Sequence, residues 1–166
     1  MKLVKARITN FRSIEDSGEF DVFDLLCLVG KNEAGKTAVQ QALGGLNPHP
    51  STPLAYDVER DYPRRWLADY KEQHPDEEAT VVTTKWTLTD DERMAITEVL
   101  GDGVLKDEPI VITRRYGDKE PHWTLPLNYR QGIENLIAIE ALDDEEAKPL
   151  EGIENSRDVI EALRNL

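Results

Sequence analysis

One octapeptide combines residue types and spacing suited to a single chemical task. Gly30, Lys31, Asn32, Glu33, Ala34, Gly35, Lys36 and Thr37 match G-x-x-x-x-G-K-[ST] at every fixed position. The glycines let the backbone curl until several N–H groups point into one concavity. A helix starting near Gly35 aims its positive end at the same point. Lys36 can reach the β- and γ-phosphates of a nucleotide, and Thr37 can offer its hydroxyl to a Mg²⁺ ion that bridges phosphate oxygens. The expected cradle is therefore residues 30–37 together with Ala38 in the first helical turn, with Thr37 as the metal ligand. The chain has no guanine-reading N-K-x-D element, so ATP is the expected nucleotide.

Such a loop needs a strand before it and a helix after it. Residues 25–30, "LLCLVG", form a continuous apolar run ending in glycine, which predicts a strand buried on both faces. Cys27 lies inside that run and reads as a small buried hydrophobe. After Gly35, Ala38, Val39, Ala42 and Leu43 form an apolar stripe at helical spacing, and "GGLNPHP" is expected to stop the helix.

Upstream, "LVKARIT" (3–9) alternates as a strand does, "NFRSI" (10–14) opens a turn, and "EFDVFD" (19–24) alternates again with Phe20 and Val22 inward. Downstream, "DYPRRWLADYKEQ" (61–73) predicts a helix with Asp61 as N-cap and Pro63 in its first turn. "ATVVTTKWTLT" (79–89) is a β-branched strand. "TDDERMAITEVLG" (89–101) is a helix with Thr89 and Glu92 placed for a capping box and Gly101 at its end. "PIVITRRY" and "HWTLPL" predict two strands turning at "GDKEP", and helices are expected near 131–141 and 156–165. The pattern is mixed α/β with an antiparallel portion. Residues 1–47 carry the strands, loop and first helix, and 48–166 the helices and antiparallel strands.

Composition narrows the function classes. The 166 residues carry a net charge of −13, which repels a phosphate backbone at long range and disfavours DNA binding by this stretch alone. A single cysteine cannot form an intrachain disulfide, and no signal peptide or membrane-length apolar run is present, so a cytoplasmic setting is expected. His49, His74 and His122 lack metal-site spacing. Trp86 and Trp123 are expected in the core. The doublets Arg64-Arg65 and Arg114-Arg115 are expected on the solvated surface.

Residues 8–43, "ITNFRSIEDSGEFDVFDLLCLVGKNEAGKTAVQQAL", resemble the N-terminal opening of the SMC/RecF-like ABC ATPases. Within that group they look most like the ATPase part of the OLD (overcoming lysogenisation defect) family. "DYPRRWLADY" and "VVTTKWTLTDDERMAI" resemble later segments of OLD-like proteins, so the similarity spans about the first 120 residues. The resemblance implies an ABC/SMC-like N-terminal lobe of a P-loop NTPase. It also implies that Arg12 and Ser13 lie near the nucleotide, with Arg12 helping to hold phosphate, and that Asn32 faces the γ-phosphate or the attacking water beside Lys36. Read without the family, Arg12 is a surface arginine beside a turn and Asn32 a loop-shaping residue.

Hydrolysis requires more than a cradle. It needs a carboxylate on the Mg²⁺ shell and a group that orients water. The nearest candidate, "LIAIEALDDEE" (136–146), reads better as an amphipathic helix with an acidic tail, and no "LSGG"-like signature is present. The resemblance places those parts, and a Toprim nuclease domain with clustered acids, farther along a longer chain. The expectation is thus the ATP-binding lobe of an ATPase that dimerises around ATP and couples it to DNA repair or anti-phage cleavage. A complete small P-loop kinase and a non-catalytic nucleotide-binding interaction module are the alternatives.

Overall fold

The computed structural model describes residues 1–31, 35–48, 55–140, 147–150, 152–153 and 158. The chain forms two compact units. The larger comprises Lys2–Thr87 and Ile110–Thr124, and the smaller comprises Met1, Leu88–Pro109 and Leu125–Leu166.

The larger unit is built on a six-stranded antiparallel sheet: β1 (Lys2–Phe11), β2 (Ile14–Asp16), β3 (Phe20–Asp21), β4 (Thr80–Thr87), β5 (Ile110–Arg115) and β6 (His122–Thr124). The order is β2-β1-β4-β5-β6, with β3 also pairing to β1. The expected mixed α/β class with an antiparallel portion is therefore observed. Alternation places Ala6 and Ile8 of β1 inside, on the same face as Ile110 and Ile112 of β5 across β4, and Phe11, beyond the left-handed Asn10, is buried as well. In β4 two consecutive residues, Val81 and Val82, are both fully buried. A register shift between Thr80 and Val82 against β5 makes this possible, because the extra residue rotates the strand locally. Buried Thr84 is satisfied: its hydroxyl donates to the Ile112 carbonyl at 3.1 Å and accepts from Trp86 Nε1 at 2.9 Å.

Helix α1 (Lys36–Leu46) packs on β1 and β4. Its buried stripe is Ala38, Ala42, Gly45 and Leu46, while Val39 and Leu43 are half-buried. The helix ends at Leu46, with Asn47 as C-cap, inside the segment "GGLNPHP" expected to stop it, after running through both glycines. It runs through them because Gly45 is a packing position: a Cβ there would lie 2.7 Å from Cζ of the buried Tyr56 ring. Small residues on the inner stripe let α1 lie close to the aromatic layer below it.

That layer was not anticipated. Phe11, Tyr56, Tyr116, Tyr62 and Tyr70 form a chain of edge-to-face contacts, with centroids 5.7 Å apart for Phe11–Tyr56 and 4.7 Å for Tyr62–Tyr70. Burial raises the phenol pKa values of Tyr56, Tyr62, Tyr70 and Tyr116, that of Tyr70 to about 12 with help from Glu78. His74 closes the chain against Tyr62 and Tyr70.

The helix expected over 61–73 is broken into pieces. Asp57, not Asp61, is the N-cap of α2 (Val58–Asp61), accepting from the Arg60 N–H at 2.8 Å. A 3-10 turn (Leu67–Asp69) and α3 (Tyr70–Gln73) follow. Pro63 interrupts regular helix just after Asp61, as a residue without an N–H must.

The strand expected over 25–30 is not formed. Phe23 is 70 % exposed, Leu25 85 % and Val29 85 %, and Cys27 is exposed rather than buried. A strand buried on both faces needs hydrogen-bonded neighbours, and no described strand pairs with this run. Trp86 is half-buried, and Trp123 is 52 % exposed on the short edge strand β6, so neither is a core residue in the expected sense.

The smaller unit contains α4 (Asp90–Leu100) and α5 (Tyr129–Glu140), with an isolated antiparallel bridge at Leu105–Leu127. The capping box forms as predicted: Thr89 Oγ1 accepts from the Glu92 N–H at 3.3 Å, and the Glu92 carboxylate accepts from the Thr89 N–H at 2.9 Å. Gly101 ends α4 in the left-handed region (φ 84°). Asn135 Nδ2 donates to the carbonyls of Leu100 and Asp102 at 3.0 and 3.2 Å, satisfying the helix end. Residues 136–140 belong to α5, so that part of the acidic segment is helical as expected, while 141–146 and 156–165, apart from Asp158, lie outside the described residues. No helix among the described residues is long and apolar enough to cross a membrane.

Candidate nucleotide-binding site

Gly35 begins the site. It is the N-cap of α1 with φ 81° and ψ 7°, a left-handed geometry that favours glycine. A Cβ there would stand 3.2 Å from Ile14 Cγ1 and 3.4 Å from Ser13 Oγ. Glycine at this position thus serves both the turn and the close approach of the β1–β2 turn. The first intrahelical bond runs from the Val39 N–H to the Gly35 carbonyl at 3.0 Å. The N–H groups of Lys36, Thr37 and Ala38 precede it and have no partner within the helix. No side chain caps Gly35, and the first turn holds no acid. Donors at a positive helix end are of the kind that suits an anion.

Lys36 spans the loop. Its Nζ donates to the carbonyls of Gly30 and Lys31, each at 2.6 Å. The ammonium is half-buried against these two carbonyls, with capacity for a further acceptor. Thr37 is exposed on the first turn, and Gly30 and Lys31 are exposed before it. Asn32, Glu33 and Ala34, the middle of the motif, lie outside the described residues, as does His49.

The β1–β2 turn brings Arg12 and Ser13 to this helix. Two non-glycine residues in it, Asn10 (φ 52°) and Arg12 (φ 55°), adopt left-handed backbone. Both are held from outside the turn. The Tyr116 hydroxyl donates to the Asn10 carbonyl at 2.6 Å, and Asn10 Nδ2 donates to the Thr80 carbonyl at 3.2 Å. The Arg12 N–H donates to the Asp61 carbonyl at 2.5 Å, and Arg12 Nε donates to Asp61 Oδ1 at 3.1 Å. Arg12 Nη1 donates to Gln41 Oε1 on α1. Its described partners thus lie on α2 and on the second turn of α1.

Asp61 is only 1 % exposed. Burial alone drives its carboxyl pKa up. Hydrogen bonds from Arg60, the Asp57 N–H and Arg12 outweigh that and leave the pKa below the ordinary value. Arg60 holds Oδ2 through Nη2 at 2.6 Å and Nε at 3.1 Å.

The far end of α1 is fixed by two further groups. The Tyr56 hydroxyl donates to the Ala42 carbonyl at 2.5 Å. Arg114, at 6 % exposure, donates from Nη1 to the Gly45 carbonyl and lies over the Tyr56 ring at 5.4 Å. The expectation that Arg114 is solvated is thereby corrected: alternation on β5 turns it inward, where the helix C-terminus supplies carbonyls. Arg115, its neighbour, faces the other way and pairs with Glu77 at 3.1 Å. Arg64 and Arg65 are exposed, as expected.

A cleft of about 390 Å³ opens beside Gly35, lined by Ser13, Ile14, Glu15, Asp16, Ser17 and Val39. Asp16 is engaged by Arg7 at 2.5 and 2.9 Å and by the Gly18 N–H, which together lower its pKa to about 2. Among the described residues no group of three His, Cys, Asp or Glu is placed to hold a metal.

Sequence reading located the loop but missed Asp61, Gln41, Gly45, Tyr56 and Arg114. Only Arg114 carried a signal, since alternation along "PIVITRRY" places it in phase with Ile110 and Ile112. Comparison with curated proteins gives no significant match. The family model of the AAA ATPase domain, by contrast, matches residues 1–158, and the chain belongs to that family of ATPase domains.

Proposed function

We propose that this chain binds ATP–Mg²⁺ through residues 30–38 and is the nucleotide-binding lobe of an OLD- or SMC/RecF-like ATPase. In full form that ATPase couples ATP binding and hydrolysis to DNA processing, in repair or in anti-phage cleavage. One observation carries the nucleotide reading: the Lys36 ammonium bridges two loop carbonyls at the uncapped, acid-free start of α1. Those donors suit a triphosphate, and the Thr37 hydroxyl suits its Mg²⁺. When bound, Mg²⁺ neutralises charge on the phosphate oxygens. Asn32 is the residue assigned to the γ-phosphate or to water. The cleft lined by Ser13, Ile14, Glu15, Asp16, Ser17 and Val39 offers hydroxyls, aliphatic groups and two carboxylates, a lining that suits the nucleoside rather than the phosphates.

Two features support a lobe that works with further parts. The apolar residues Phe23, Leu25 and Val29 before the loop are exposed, as a strand awaiting neighbours would be. The described residues also offer no acid cluster for a second metal ligand set. The isolated chain therefore turns ATP over slowly or not at all, and a second ATPase half, a homodimer partner and a Toprim-like nuclease domain complete the activity.

The test is a melting-temperature titration with ATP–Mg²⁺ on the wild type and Lys36→Ala, with phosphate release measured in parallel. At a hundredfold excess over Kd the wild type gains about 2.7 kcal/mol, a rise of several degrees, which Lys36→Ala loses. Rapid phosphate release by the isolated chain, or no thermal shift at saturating nucleotide, overturns the reading.

A further inference from the structure

We propose that Asp61 is the positioning residue that aims Arg12 at the phosphate tail of the bound nucleotide; the proposal rests on the nucleotide-binding reading above. Three independent observations meet at this pair. First, Asp61 is a fully buried carboxylate whose two oxygens are divided between tasks. Oδ2 is taken by Arg60 and by the Asp57 N–H (3.2 Å), which leaves Oδ1 to Arg12 Nε. Second, Asp61 holds the Arg12 backbone as well, accepting its N–H while φ is left-handed. The side chain's starting direction is thus set along with its end. Third, the turn that carries Arg12 touches the start of α1 through Ser13 and Gly35, and the Arg12 guanidinium lies along the same helix at Gln41.

The guanidinium geometry gives this arrangement its use. Arg12 is 40 % exposed in its side chain, so an untethered arginine here would sample many rotamers. Tethering Nε to a buried anion fixes the plane of the fork; Nη1 donates to Gln41 Oε1, and Nη2 has no partner among the described residues and can serve a further acceptor. A buried carboxylate kept only for stability would gain little over an apolar side chain of its size. Its Oδ1 is given to a partly exposed arginine carried by the turn that approaches Gly35, which is what a positioning role requires. Asp61 touches no nucleotide itself.

The test compares ATP with AMP, because AMP has one phosphate where ATP has a tail. Displacement of a fluorescent ATP analogue reports both affinities, and nucleotide-free melting reports the fold. Asp61→Asn and Arg12→Gln are each expected to weaken ATP about tenfold while changing AMP less than about twofold. The double variant is expected to be no weaker than either single one, since both remove the same contact. Arg12→Lys keeps the charge, but its one nitrogen cannot serve Asp61 and phosphate together, so it is expected to match Arg12→Gln. Asp61→Asn with an unchanged ATP-to-AMP ratio, an equal loss of both nucleotides, or Arg12→Lys binding like the wild type overturns the role. If Asp61→Asn does not fold, the Arg12→Lys and Arg12→Gln pair decides it. A wild type that binds neither nucleotide overturns the nucleotide reading itself, which separates that failure from the failure of Asp61 alone.

Discussion

The two segments flanking the phosphate loop could hardly be held more differently. After it, α1 is fastened along its length: Ser13 and Ile14 stand against Gly35, Arg12 reaches Gln41, Tyr56 bonds the Ala42 carbonyl, and buried Arg114 takes the Gly45 carbonyl. Before it, residues 23–29 expose Phe23, Leu25 and Val29 and pair with no described strand. Helix α1, whose first turn carries the proposed anion-binding donors, is thus held by residues of the larger unit. The described contacts of the run that leads into the loop are fewer, an ion pair of Asp24 with Lys2 at 2.8 Å among them. Pre-organisation of the donor side lowers the ordering cost of gripping a phosphate, and it needs no nucleotide to exist.

If that contrast is real, substitutions on the two sides must differ sharply in cost. The largest effect is expected from Gly45→Ala. Alanine is favoured over glycine in a helix by about 1 kcal/mol, but the new Cβ would stand 2.7 Å from Tyr56 Cζ and the ring is tied to Ala42. Overpacking costs about 1–3 kcal/mol, so net destabilisation of about 1–2 kcal/mol is expected in urea unfolding, opposite in sign to the propensity rule. Arg114→Met comes next. It keeps the stem but leaves the Gly45 carbonyl unpaired beneath the sheet, at about 1–2 kcal/mol. An unchanged midpoint for either variant would break the comparison.

Alkaline pH tests the aromatic floor beneath α1. The folded pKa values of Tyr56, Tyr62, Tyr70 and Tyr116 are raised, to about 12 for Tyr70, so between pH 10 and 12 the unfolded chain loses phenolic protons that the native chain keeps. Stability from these groups is complete below about pH 10 and falls as pH rises. Tyrosinate absorbance is expected to appear together with loss of near-ultraviolet circular dichroism. Tyrosinate forming at pH 10 with the fold intact would contradict their burial. The smallest effect is expected from Leu25→Ser and Val29→Ser, within about 0.5 kcal/mol of wild type, as for surface positions. A cost of 2 kcal/mol or more would mean that the lead-in run is packed after all.

Legibility in the sequence followed whether the cause was local. The start of α1 at Lys36, the capping box of Thr89 and Glu92, and the strands β1, β4 and β5 could all be read, because each depends on residues a few positions apart. The run at 25–30 was misread for the opposite reason. An apolar segment shows what it would bury, not whether neighbours are there to bury it. Asp61 looked like a helix cap, since its partner Arg12 lies 49 residues away and nothing in "DYPRRW" points to it. The stop at "GGLNPHP" was legible, but the packing of Gly45 against the ring of Tyr56 was not. The site's positioning residues are the part that only the fold displays.

The central claim is that the main-chain donors at the start of α1 and the Lys36 ammonium grip a triphosphate. The most direct measurement is an amide nitrogen–proton spectrum of the isotope-labelled chain during titration with ATP–Mg²⁺. The account predicts large, saturable shifts at Gly30, Lys31, Gly35, Lys36, Thr37 and Ala38, abolished in Lys36→Ala. Shifts confined to other residues, or none at saturating nucleotide, would contradict it.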